Sequence, residues 1–108
     1  MKKRATPIDP ALLREAAGQA VAMLKALAHE ARLLLLCQLA QGEHSVGELE
    51  ALLDIRQPSL SQQLGVLRAE GLVDTRRDGK NIYYRVADPA AMEILALLYR
   101  LYCPQGEK

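Results

Sequence analysis

The sequence predicts a mainly α-helical domain with a β-hairpin, and three observations predict it. Apolar residues recur at three- and four-residue intervals through most of the 108 positions, which is the spacing of amphipathic helices. Between residues 73 and 86 the period drops to two, around an Asp78-Gly79 pair of hairpin type. Helix start and stop signals, from Asp9-Pro10 to Asp88-Pro89, divide the rest into five helices.

Asp9 followed by Pro10 reads as the first helix start, after which Leu13, Ala16, Ala17, Ala20, Val21, Leu24 and Leu27 form an apolar stripe. A second helix, about His29 to Ala40, is apolar on almost every side, so it is expected to be central and buried, with Gly42 ending it. Ser45 with Glu48 three residues on is a capping box for a short third helix through Leu53. Asp54 to Gln57 is the turn, and Pro58 is expected at the first position of a fourth helix with Leu60, Leu64 and Leu67 on one stripe. Gly71 closes it. Two strands follow, with Ile82, Tyr84 and Val86 alternating with Tyr83 and Arg85 in the second, and two strands need helices to pack on. Asp88-Pro89 opens a last helix to about Tyr102, apolar over more than half its circumference.

Half the residues are apolar and a quarter charged, the composition of one globular domain over residues 1–108, with residues 1–8 expected to be flexible. Pro7, Asp9, Pro10, Arg14 and Glu15 interrupt the apolar stretch that an export signal requires. The apolar run Leu33 to Cys37, like every other in the chain, is far below the ~20 residues of a membrane span. A cytoplasmic protein with no membrane partner is expected, and there a permanent disulfide is disfavoured. No nucleophile-base-orienter arrangement, phosphate loop or CxxC motif is visible, so the chain is not read as an enzyme.

Net charge is +1, but it is unevenly spread: Glu43, Glu48, Glu50 and Asp54 precede a segment, residues 55–85, with six basic residues and three acids. Two short helices joined by a tight turn and followed by a basic hairpin make a winged helix-turn-helix, α-α-α-α-β-β-α, whose fourth helix is the recognition element. With Leu60, Leu64 and Leu67 inward, Ser59, Gln62 and Gly65 face outward with Ser61 and Gln63 on the flanks. Glutamine can pair with adenine through two bonds and serine can bind bases or phosphates, so Ser59, Ser61, Gln62 and Gln63 are candidates for the major groove. Gln57, at the turn, is a candidate phosphate contact. In the hairpin, Arg77 and Lys80 are the candidate wing contacts, beside Arg76. The expected partner is double-stranded operator DNA.

Of two histidines, His29 is placed to cap the second helix and His44 to sit solvated in a loop; with Asp88 they do not compose a zinc site. The two cysteines, Cys37 and Cys103, allow two readings from composition: inert small residues, or a reversible redox pair.

The runs ALAHEARLLLLCQL, SVGELEALL, QPSLSQQLGVLRAEGLV and TRRDGKNIYYRV resemble the ArsR family of bacterial winged-helix repressors over roughly residues 20–102. The resemblance implies a homodimer paired through the first and last helices, which would cover the surplus apolar surface of residues 89–102. Arsenic and lead sensors of the family carry Cys-Val-Cys where this chain has Ser45, Val46 and Gly47, and zinc and nickel sensors carry Asp and His on the last helix, where only Asp88 matches. No metal site and no cofactor are therefore expected. The second-helix cysteine, the recognition helix and the cysteine ending the last helix together are similar to the sulfide- and persulfide-responsive branch. That implies that Cys37 and Cys103 join through a disulfide or a chain of sulfur atoms when reactive sulfur species or oxidants rise, and that operator binding then weakens. The alternatives are another inducer, haem or a soft metal held by the two thiolates, or inert cysteines.

Overall fold

Helix α1 (Pro10–Leu27) starts where Asp9 accepts from the Ala11 amide and Pro10 supplies a preset φ. The computed structural model describes residues 7–103, so residues 1–6 of the segment expected to be flexible lie outside the described residues. Helix α2 (Glu30–Leu39) follows a sharp break, with His29 as N-cap, its Nδ1 accepting from the Arg32 amide at 3.5 Å. This is the capping role that the sequence predicts for His29.

A two-residue strand, β1 (His44–Ser45), leads into α3 (Val46–Leu53), and the capping box is complete: Glu48 N–H donates to Ser45 Oγ and Ser45 N–H to Glu48 Oε1. Asp54 ends α3 in the left-handed region with φ 55°, a conformation that Asp tolerates better than most residues. Helix α4 spans Ser59–Ala69, so Pro58 is its N-cap rather than its first helical residue, and the Gln57–Pro58 bond is cis. The Leu60, Leu64 and Leu67 stripe is buried.

Strands β2 (Val73–Asp78) and β3 (Asn81–Val86) pair antiparallel from Val73↔Val86 to Asp78↔Asn81. The connecting residues are Gly79-Lys80, with Gly79 at φ 65°. The sheet has three strands, not the two expected, because β1 pairs with β3 through His44↔Tyr84 and Ser45↔Tyr83. His44 is consequently half-buried rather than solvated, its ring 3.3 Å from Gln38 Nε2 and 3.5 Å from Glu48 Oε1. Helix α5 (Pro89–Tyr102) begins with Asp88 accepting from the Ala90 and Ala91 amides.

The core joins Ala26, Leu27, Leu35, Leu36, Leu39, Leu49, Leu72, Val73, Ala91 and Leu95 to the α4 leucines. Helix α2 is central but not enclosed: Leu34 is 42% exposed and Cys37 half-buried. Helix α1 buries only its last turn, Ala26 and Leu27, and leaves Leu12, Leu13, Val21 and Leu24 exposed. At the other end of the chain, Leu97, Tyr99, Leu101 and Tyr102 of α5 are exposed as well. No helix among the described residues is long and apolar enough to cross a membrane.

Candidate nucleic-acid interface and thiol cleft

The three buried leucines of α4 fix its rotation, and with it the face that it offers outward. Ser59, Ser61, Gln62 and Gly65 are exposed. Ser61 donates its hydroxyl to Gln57 Oε1 across the first turn, which ties the turn residue to the helix. Gln63 differs from its neighbours. It is half-buried, and its Oε1 accepts from Arg32 Nη1 of α2 at 3.3 Å.

Arg77 and Lys80 are exposed on the hairpin, Lys80 in its turn. Arg76 is committed elsewhere. It donates Nε to Glu43 Oε1 at 2.8 Å, lies 4.0 Å from Asp78 Oδ2, and sets its guanidinium 4.9 Å from the Tyr83 ring centre. The Glu43 contact crosses from the α2–β1 connection to the wing, so this arginine braces the hairpin. Glu43, the acidic residue before β1, is the other half of that brace.

The two cysteines come from distant parts of the chain. Cys37 lines a cleft of about 350 Å³ between α2 and α5, together with Ala40, Gln41, Met92, Leu95, Ala96 and Tyr99. Cys103 is the C-cap of α5, its amide donating to the Tyr99 carbonyl, one turn beyond that wall of the cleft. Burial pushes the Cys37 thiol pKa up, and the nearby charge of Cys103 pushes it further in the same direction. Both causes favour the neutral form of Cys37. It therefore helps stability below the ordinary thiol pKa, and that contribution is lost as pH rises toward the raised value. At any pH below that raised value, alkylation of Cys37 by iodoacetamide should be slower in the folded chain than in the urea-unfolded chain, and the lag should close in alkali. Peptide mass spectrometry of timed samples reads both rates; equal rates at neutral pH would contradict the shift.

Among the described residues no group of three or more His, Cys, Asp or Glu side chains is disposed to hold a metal ion. Arg32 is the polar residue that sequence reasoning passed over. It sits in the HEAR segment used only for resemblance, and its three contacts are tertiary, leaving no periodic signal.

The family described as "Bacterial regulatory protein, arsR family" matches residues 29–75, from the α2 N-cap to the first residues of the wing. The biofilm growth-associated repressor of Agrobacterium fabrum is 58% identical over 98 residues, covering 91% of this chain and 83% of that protein. The crystal structure of the transcriptional repressor BigR from Xylella fastidiosa superposes with a TM-score of 0.84 at 44% identity, covering 93% of this chain and 99% of that one. Reduced HlyU from Vibrio cholerae superposes with a TM-score of 0.82 at 41% identity, covering 85% and 97% respectively.

Proposed function

Because the chain belongs to the ArsR family and is a DNA-binding transcriptional repressor of the BigR and HlyU type, we propose that it is a homodimer whose Cys37/Cys103 pair releases operator DNA on reaction with reactive sulfur species. In the dimer, the exposed apolar faces of α1 and α5 cover one another, which removes a surface costly to leave in water. The two α4 helices then enter successive major grooves ~34 Å apart. Ser59, Ser61, Gln62 and Gln63 face base edges or phosphates, Gln57 a phosphate at the turn, and Arg77 and Lys80 the backbone flanking the site.

The observation that supports the thiol reading is the placement of Cys103 one turn beyond Tyr99 of the cleft that Cys37 lines, near enough for its charge to act on the Cys37 thiol. The chemistry balances as two displacements. Cys103 thiolate attacks a sulfane sulfur of a polysulfide, an S–S bond breaks and a shorter polysulfide leaves. Cys37, once deprotonated, attacks the sulfur chain on Cys103 and expels hydrosulfide, closing the bridge. Two thiols are oxidised and the polysulfide is reduced. A direct disulfide requires Cα atoms ~4.4–6.8 Å apart, and inserted sulfur relaxes that demand. The bridge would lock α2 to α5, and so alter how one subunit's α4 stands relative to the other.

Exposure of the reduced protein to sodium polysulfide should weaken binding to a duplex selected from a randomised pool by ~5- to 150-fold, the range of ordinary allosteric coupling. Intact mass should show loss of two hydrogens, with or without added sulfur atoms, and reductant should restore binding. The reduced protein should run in solution at twice the 11.9 kDa chain mass. Unchanged affinity in the bridged protein would sink the sensing mechanism, and a monomer that binds the duplex as tightly would sink the dimer.

A further inference from the structure

Arg32 joins three helices. From the first turn of α2 it donates Nε to the Ala26 carbonyl at 2.7 Å, Nη2 to the Lys25 carbonyl at 3.1 Å and Nη1 to Gln63 Oε1 at 3.3 Å. The first two acceptors belong to the end of α1, whose last four carbonyls have no partner within the helix. Leu24 accepts from the Ala28 amide and Leu27 from the His29 amide, so Arg32 completes the set and puts a cation at the negative end of the helix. The remaining arm reaches recognition helix α4.

We propose that Arg32 is a positioning residue for operator reading: it holds Gln63 Oε1, so that Gln63 presents its NH2 outward and reads DNA as a donor. A guanidinium has only donors, which settles the orientation of the amide it meets. Reading adenine through two bonds needs the glutamine oxygen turned toward the base, and here a charged donor takes one of its two lone pairs and holds it toward α2. Gln63 is thereby directed to acceptors: purine N7, guanine O6, thymine O4 or a phosphate oxygen. Gln62, exposed on the same helix, keeps both halves of its amide for adenine. Because Arg32 is seated on two carbonyls of α1, the aim of Gln63 follows the α1–α2 junction. A lysine in its place carries all its donors on one nitrogen and cannot span three acceptors that the arginine meets with three. This inference rests on the reading of α4 as the groove-contacting helix and needs no thiol chemistry.

The test compares the reduced full-length protein with Arg32→Lys, Gln63→Met, their double mutant and Gln62→Ala, on the pool-selected duplex and on a random duplex. Arg32→Lys and Gln63→Met should each weaken specific binding about tenfold with less than about twofold change on random DNA, and the double mutant should be no weaker than either single. Reselection from the pool with Gln63→Met should relax preference at a position where Gln62→Ala does not. An unchanged specific-to-random ratio in Arg32→Lys, or losses that add in the double mutant, would overturn the proposal. Should circular dichroism show Arg32→Lys unfolded, Gln63→Met, which leaves the α1 carbonyls capped, decides alone by the same ratio. If Gln62→Ala leaves the ratio unchanged as well, the α4 reading falls and takes this inference with it. If only Gln62→Ala lowers the ratio, the Arg32 role alone is wrong.

Discussion

Cys37→Ser should bind the selected duplex as the reduced parent does and lose the response to polysulfide altogether. Serine is nearly the size of cysteine and Cys37 is half-buried, so the substitution leaves α2 packing largely intact. A hydroxyl cannot form the bridge, and the parent's ~5- to 150-fold switch should collapse to no change. Cys103→Ser should be equally silent in DNA binding, yet the two variants should differ in mass. Cys37→Ser keeps Cys103, the first nucleophile, and should accumulate added sulfur in 32 Da steps, the mass of one sulfur atom. Cys103→Ser keeps only a thiol whose pKa burial has raised, and should gain sulfur slowly near neutral pH. A Cys37→Ser protein that still releases DNA on polysulfide treatment would mean that modification of Cys103 alone is sufficient.

Leu64→Ala should cost about 2–5 kcal/mol, a large share of the ~5–15 kcal/mol that holds an ordinary domain together. Leu64 is 1% exposed and lies in the middle of the stripe that seats α4 on the core. Truncation removes apolar area from the core and leaves a space that rigid neighbouring helices cannot close. Leu52, 56% exposed on α3, is the control, and Leu52→Ala should stay within about 0.5 kcal/mol. Urea unfolding followed by circular dichroism gives both values, with the midpoint falling and the slope preserved for Leu64→Ala. Comparable losses in the two variants would contradict the burial that orients the recognition helix.

Local rules account for the parts of this fold that the sequence makes readable. Asp9-Pro10, Ser45 with Glu48 and Asp88-Pro89 start helices because the signal and the hydrogen bond lie within three residues of each other. The α4 stripe was legible because Leu60, Leu64 and Leu67 repeat at the helical period. Strand β1 was not, since two residues carry no period, and His44 and Ser45 become a strand only by pairing with β3. Pro58 misled by one position because a proline preceding a helix and one opening it look alike in sequence. Helix α2 looked fully buried on composition, but which leucines meet a neighbour depends on where α1 and α5 lie. The site divides the same way: the exposed α4 side chains follow from rotation alone, whereas the tethering of Gln63 and the brace from Glu43 to Arg76 arise only when distant segments meet.

The pairing of β1 with β3 has a topological consequence. Its two residue pairs join positions 44 and 45 to 84 and 83, so α3, the turn, α4 and β2 form a closed loop of chain pinned at its base. An open loop released by fraying would regain the conformational freedom of all the residues between, whereas a closed one regains much less, as in a cross-linked chain. The short strand thus acts as a non-covalent clasp: it lowers the entropy of any state in which the α3–α4 segment melts while the wing stays formed.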